Sequence, residues 1–157
     1  TGQTATSPTE TQFNFSSLRI KEGLRVENKF VVSQAALSGP FVIPNKAIDT
    51  STLRVRVQES ASEDTVITYI KASKILDIKA ASKVYFVEEG ADGLYQIRFG
   101  DNVLGKQLKA GNIIYVDYIN SNARLSNFAK TFVLGTTLSS SGEELTLKTA
   151  IPAYGGS

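Results

Sequence analysis

The chain is 157 residues long, carries 17 basic and 15 acidic side chains for a net charge of +2, and is 41 % apolar. That length predicts one domain able to bury a core, and so even a charge balance argues against a nucleic-acid binder driven by electrostatics. Histidine, cysteine and methionine are absent, which excludes imidazole proton transfer, thiol nucleophiles, disulfides and thiolate metal sites.

Residues 1–12 are small and polar without periodicity and read as a flexible linker. No signal-peptide pattern opens the chain, and without an initiator methionine it reads as a piece of a longer polypeptide. Residues 13–150 read as one β domain. Phe13 and Phe15 alternate with Asn14 and Ser16. Asn14-Phe15-Ser16 also satisfies a glycosylation pattern, which carries no weight without a secretory signal. Phe41-Val42-Ile43 is apolar throughout, between the turns Ser38-Gly39-Pro40 and Pro44-Asn45-Lys46. Leu53, Val55 and Val57 alternate with Arg54, Arg56 and Gln58; this is the cleanest strand, with one face on a core and one in water.

Glu63–Ser82 mixes two signals. Its lysines and alanines favour helix, whereas Val66, Ile67, Ile70, Ile75 and Ile78 favour strand. We read two strands, about Thr65–Lys71 and Ile75–Lys79, with a tight connection, and a short helix as the alternative. Asp92-Gly93 then predicts a hairpin of Val84–Glu88 against Leu94–Phe99. A second hairpin is expected between Leu94–Phe99 and Asn112–Ile119. Val84–Val87 and Ile113–Val116 are apolar throughout and suit strands buried on both faces. Ser139–Gly142 reads as a turn, and Leu145 and Leu147 as a last alternating strand. These short strands and frequent turns indicate an antiparallel sandwich or barrel, and we read an all-β, antiparallel sandwich-like domain with short connections and little helix.

Gly100-Asp101-Asn102-Val103-Leu104-Gly105-Lys106-Gln107 matches the phosphate loop up to its last position, where Gln107 lacks the hydroxyl that holds magnesium. A phosphate loop also opens a helix, and Lys109-Ala110-Gly111-Asn112 reads as a turn into a strand. We therefore read a glycine-shaped connection. Glu88, Glu89, Asp92 and Asp101 offer four carboxylates, but their spacing matches no calcium loop. Neither a glycosidase cleft nor a catalytic set is apparent, so no enzyme activity, cofactor or metal is expected. Arg54 and Arg56 share the outer face of their strand, as an ordinary polar face or as a surface for a partner. The tyrosines and phenylalanines fall mostly at strand positions and read as core.

Phe41-Val42-Ile43-Pro44-Asn45, Ile48-Asp49-Thr50-Ser51-Thr52-Leu53, Ser82-Lys83-Val84-Tyr85-Phe86, Tyr95, Phe99–Lys106 and Gly111-Asn112 occur in that order. The series resembles the middle region of the baseplate wedge protein of T-even-like contractile-tailed phages. More broadly, it resembles the baseplate J-type proteins of contractile injection machines. The resemblance covers about residues 41–120. Gly155-Gly156-Ser157 resembles the family's junction into its next domain, so 151–157 read as a linker. The family generally has glycine where this chain has Asn102, and asparagine also reaches left-handed backbone angles.

The resemblance implies a structural module in the virion, in the tail baseplate, assembled in the host cytoplasm. Its expected partners are other copies of the subunit and other wedge proteins, with no nucleic acid and no membrane. Phe99, Gly100, Asp101, Asn102, Gly105 and Lys106 are carried over as a fold-defining loop, and no catalytic residue is carried over. The alternative is a carbohydrate- or receptor-binding β module of a tail fibre or adhesin, using the aromatic residues and the Gly90–Gly93 loop.

Overall fold

The computed structural model describes residues 2–7, 10–14, 21–37, 39–122, 125, 127–133 and 152–154, the first two segments as backbone. Its strands are β1 (Gly2–Ser7), β2 (Glu10–Asn14), β3 (Leu24–Val31), β4 (Phe41–Val42), β5 (Ile48–Gln58), β6 (Val66–Lys71), β7 (Val84–Glu89), β8 (Tyr95–Phe99) and β9 (Ile113–Asn120). The helical elements are 3-10 turns at Gln34–Ala36 and Ile75–Asp77. The fold is all-β with little helix.

β1 and β2 pair antiparallel as a separate two-stranded sheet, a pairing that the polar composition of this stretch did not indicate. The other strands form one sheet in the order β3-β9-β5-β6-β7-β8-β4. β3, β9, β5 and β6 are antiparallel neighbours, and so are β7, β8 and β4. Between these halves β6 and β7 run parallel, with Ile70 beside Val84 and Lys71 beside Tyr85. The expected all-β domain with little helix forms, but its two antiparallel halves are not stacked as separate sheets. The halves are instead joined edge to edge into a single mixed sheet, curled nearly into a barrel.

The inward rows follow the alternation of the strands. Leu53, Val55 and Val57 of β5 are buried, as are Ile114, Val116 and Tyr118 of β9, Tyr69, Tyr85, Ile97 and Phe41. Edge-to-face ring contacts run from Phe30 to Phe41, Phe41 to Phe99 and Phe99 to Tyr69, with centroids 5.5–5.8 Å apart. The first of these brings the two end strands of the sheet together through their side chains. The expected aromatic core is present, and burial of these rings supplies much of its apolar area. β9 is buried on both faces, as its continuous apolar run suggested. Phe41-Val42-Ile43 instead alternates: Phe41 and Ile43 are buried and Val42 is exposed.

The hairpin at Asp92-Gly93 forms as expected, with Tyr85 opposite Phe99 and Glu89 opposite Tyr95. Two other expectations are corrected. Ile75–Lys79 is no strand: Ile75–Asp77 is a 3-10 turn in which Leu76 is 99 % exposed. The reason lies in the parallel pairing of β6 and β7, which a tight hairpin cannot connect; residues 72–83 are the crossover. Nor do β8 and β9 form a hairpin: β8 lies between β7 and β4, and β9 between β3 and β5. The segment 100–107 folds back onto the start of β7, where the Lys106 N–H donates to the Ser82 carbonyl at 2.7 Å, and so carries the chain away from β8. The Ser139–Gly142 turn, the Leu145/Leu147 strand, Phe15 and Gly155–Ser157 lie outside the described residues.

Candidate functional site

The loop that follows β8 is built from side chain and backbone alike. Asp101 Oδ1 accepts from the N–H groups of Val103 and Leu104 at 2.9 and 2.8 Å. These bonds hold its carboxyl below the ordinary value of 3.8. Asn102 sits at φ 68°, the left-handed region that asparagine tolerates. Its N–H donates to the Gly105 carbonyl at 2.9 Å, and its side chain bonds both the N–H and the side chain of Gln107. Gly100 and Gly105 are buried against each other, so a Cβ on Gly100 would collide with the Gly105 backbone. Phe99 is anchored in the ring chain described above. The residues singled out from sequence thus act on one loop.

Lys106 leaves that loop sideways. Its Nζ reaches Glu59 Oε1 at 3.0 Å. This hydrogen bond lowers the carboxyl pKa of Glu59 and raises that of the Lys106 ammonium. The segment after Gln107 turns through Gly111, at φ +91°, straight into β9. Among the described residues no helix N-terminus faces the Gly-Lys pair, and the segment after it enters a strand, not the helix with which a phosphate loop holds its anion. Asn112, buried, closes this end of the sheet: its side chain donates to the Glu59 carbonyl at 2.7 Å and accepts from the Lys109 N–H at 2.8 Å.

Three of the four carboxylates weighed as a metal site, those of Glu88, Asp92 and Asp101, are each used separately. Glu88 Oε2 accepts from Arg98 and Gln96, Asp92 Oδ1 from the Leu94 N–H, and Asp101 within its own loop. Among the described residues no three acidic side chains gather as a metal site requires.

Arg54 and Arg56 do lie on the outer face of β5, and the structure separates them. Arg54 is exposed. Arg56 is tied into a network that crosses three strands. Its Nη2 meets Glu27 Oε2 of β3 at 2.6 Å and Asp117 Oδ2 of β9 at 2.7 Å, while Arg25 Nη2 takes Asp117 Oδ1 at 2.7 Å. The guanidinium of Arg56 and the ammonium of Lys29 both lie over the Tyr115 ring, 5.6 and 5.5 Å from its centroid. Burial pushes the Asp117 carboxyl up, but the bonds and charges of Arg25 and Arg56 outweigh it and hold the group below its ordinary value. Sequence reading missed Asp117. Its signal was the odd row Tyr115-Asp117 of β9, which the register sets beside Arg56 and Arg54.

The remaining surface is backbone. The Val32 N–H donates to the Asn112 carbonyl, and the Ile119 N–H points to Thr52 on the β5 side. In an antiparallel ladder the direction alternates, so the even residues of β3 bond to β9. The amides and carbonyls of Arg25, Glu27, Lys29 and Val31 face the open edge. Beyond the β3–β9 ladder, no backbone bond involves these residues among the described ones. Val26, Asn28 and Phe30 point inward and are half-buried; β3 and β4 meet through the Phe30–Phe41 rings and share no backbone bond among the described residues.

Comparison with family models, with curated proteins and with solved structures finds no match to this chain. No helix among the described residues is long and apolar enough to cross a membrane.

Proposed function

We propose that this chain is a structural module of a phage tail baseplate wedge subunit, making assembly contacts in the baseplate ring. The observation that carries the reading is how the segments of the resemblance meet. Four of them, residues 41–45, 82–86, 95 and 99–106, are far apart in the chain yet meet in the fold. Phe99 packs on Phe41, and the Ile43 N–H donates to the Tyr95 carbonyl. Gly105 lies against Val84, and Lys106 bonds Ser82. A motif set held together by packing is what a scaffold domain needs, since its task is to place surfaces.

In this role the exposed edge of β3, the polar face around Arg54 and Arg56, and the loop tip at Val103 and Leu104 are contact surfaces, and the chain contributes no chemistry of its own. The partners would be other copies of the subunit and other wedge proteins, in the virion. The test is immunogold electron microscopy on particles of the phage that encodes the chain, with antibodies raised against it. Label at the baseplate supports the reading; label on fibres favours the glycan- or receptor-binding alternative, and particles without label refute both.

A further inference from the structure

We infer that β3 is a self-pairing edge: two copies of this chain join their β3 strands antiparallel about a two-fold axis. The inference rests on the reading of the chain as an assembly module and names its surface, partner and register. A strand edge whose amides and carbonyls are unpaired is a template for strand addition. On β3 the edge without a backbone partner among the described residues runs through Arg25, Glu27, Lys29 and Val31, whose side chains stand outward and exposed. β4, which touches β3 through the Phe30–Phe41 ring contact, is only two residues long and bonds to β8, so it leaves this edge without a backbone partner among the described residues.

Charge selects the second copy as occupant. Because only odd residues aim at the edge, odd residues must pair with odd. The register that pairs all four sets Glu27 opposite Lys29 of the second copy, Lys29 opposite its Glu27, and Arg25 opposite its Val31. Opposite charges directly across a ladder are favourable and like charges are not. A shift of one step either way brings Glu27 against Glu27 or Lys29 against Lys29. In the favoured register Val31, 65 % exposed, lies along the aliphatic stem of the opposing Arg25. On the inner side Val26 comes opposite Phe30, and both half-buried side chains gain cover.

Sedimentation equilibrium over a wide concentration range tests this on the full chain. The expected result is a mass rising from 17.0 kDa toward that of a dimer. Glu27→Lys and Lys29→Glu should each weaken dimerisation about ten-fold, and an equimolar mixture of the two variants should recover it, because each then supplies the charge the other needs. Far-UV circular dichroism confirms that both variants fold. Lys29→Pro, which removes an edge amide and no β9 bond, should abolish association. A mass that stays at one chain throughout overturns the proposal, and so does dimerisation that all three variants leave unchanged. Either failure leaves the baseplate reading standing, since that is tested by immunogold label on particles.

Discussion

Gly93 and Gly105 stand on either side of β8 and both hold positive φ, at +75° and +91°, yet a methyl group at Gly93 would meet nothing within 4 Å while one at Gly105 would meet Val84 Cγ2 at 2.7 Å. The hairpin glycine is needed for its backbone angle alone. The loop glycines are needed for room as well, because Gly100 and Gly105 press backbone on backbone. Their acids differ in the same sense: Asp92 Oδ1 accepts one amide, from Leu94, and Asp101 Oδ1 accepts two. A turn that looks similar in sequence can thus be a free connection or a packed unit of the fold.

Substitutions that fill the loop should break this contrast most clearly. Gly100→Val forces a branched side chain onto the Gly105 backbone and should cost about 3 kcal/mol or more in thermal or denaturant unfolding, since backbone cannot give way as a side chain can. Gly105→Ala meets the movable Val84 side chain and adds left-handed strain, for about 2–3 kcal/mol. Gly93→Ala carries the strain without the collision and should cost about 1 kcal/mol. Equal losses at Gly93 and Gly105 would dissolve the distinction.

The Asp101 caps sharpen it through pH. Its folded-state pKa lies below the ordinary value of 3.8, so its contribution is fully present above that value and is lost as pH falls through the lowered one. The amide resonances of Val103 and Leu104 should titrate with a midpoint below 3.8; a midpoint at or above it contradicts the caps. The smallest effect belongs to Lys106→Ala. It removes one exposed ion pair, to Glu59, and should leave the melting temperature nearly unchanged. Calorimetric titration with ATP and magnesium should give no binding heat before or after the change.

What was legible in the sequence was local. Alternation at Leu53–Gln58 placed β5, and Asp92-Gly93 placed the β7–β8 hairpin, because each signal lies within a few residues of what it determines. The order of strands across the sheet was not legible. β9 takes β3 and β5 as neighbours from far along the chain, and nothing near Ile113 names them. Ile75 shows the same limit: β-branched residues favour strand only where a neighbour and a core receive them, and Ile75, in a 3-10 turn and exposed, has neither among the described residues. Of the site, the packed loop could be suspected from Gly100, Asn102 and Gly105. Arg56 could be seen, but its lock on Asp117 and Glu27 depends on three strands meeting in register.

The role proposed for this chain is to supply geometry to an assembly. On the proposed baseplate role, negative-stain counting of assembled baseplates tests this by comparing Gly100→Val with Lys106→Ala. In that role Gly100→Val should stop baseplate assembly, whereas Lys106→Ala should yield normal numbers of infectious particles. Normal assembly with Gly100→Val, or complete baseplates rendered non-infectious by Lys106→Ala, would contradict it.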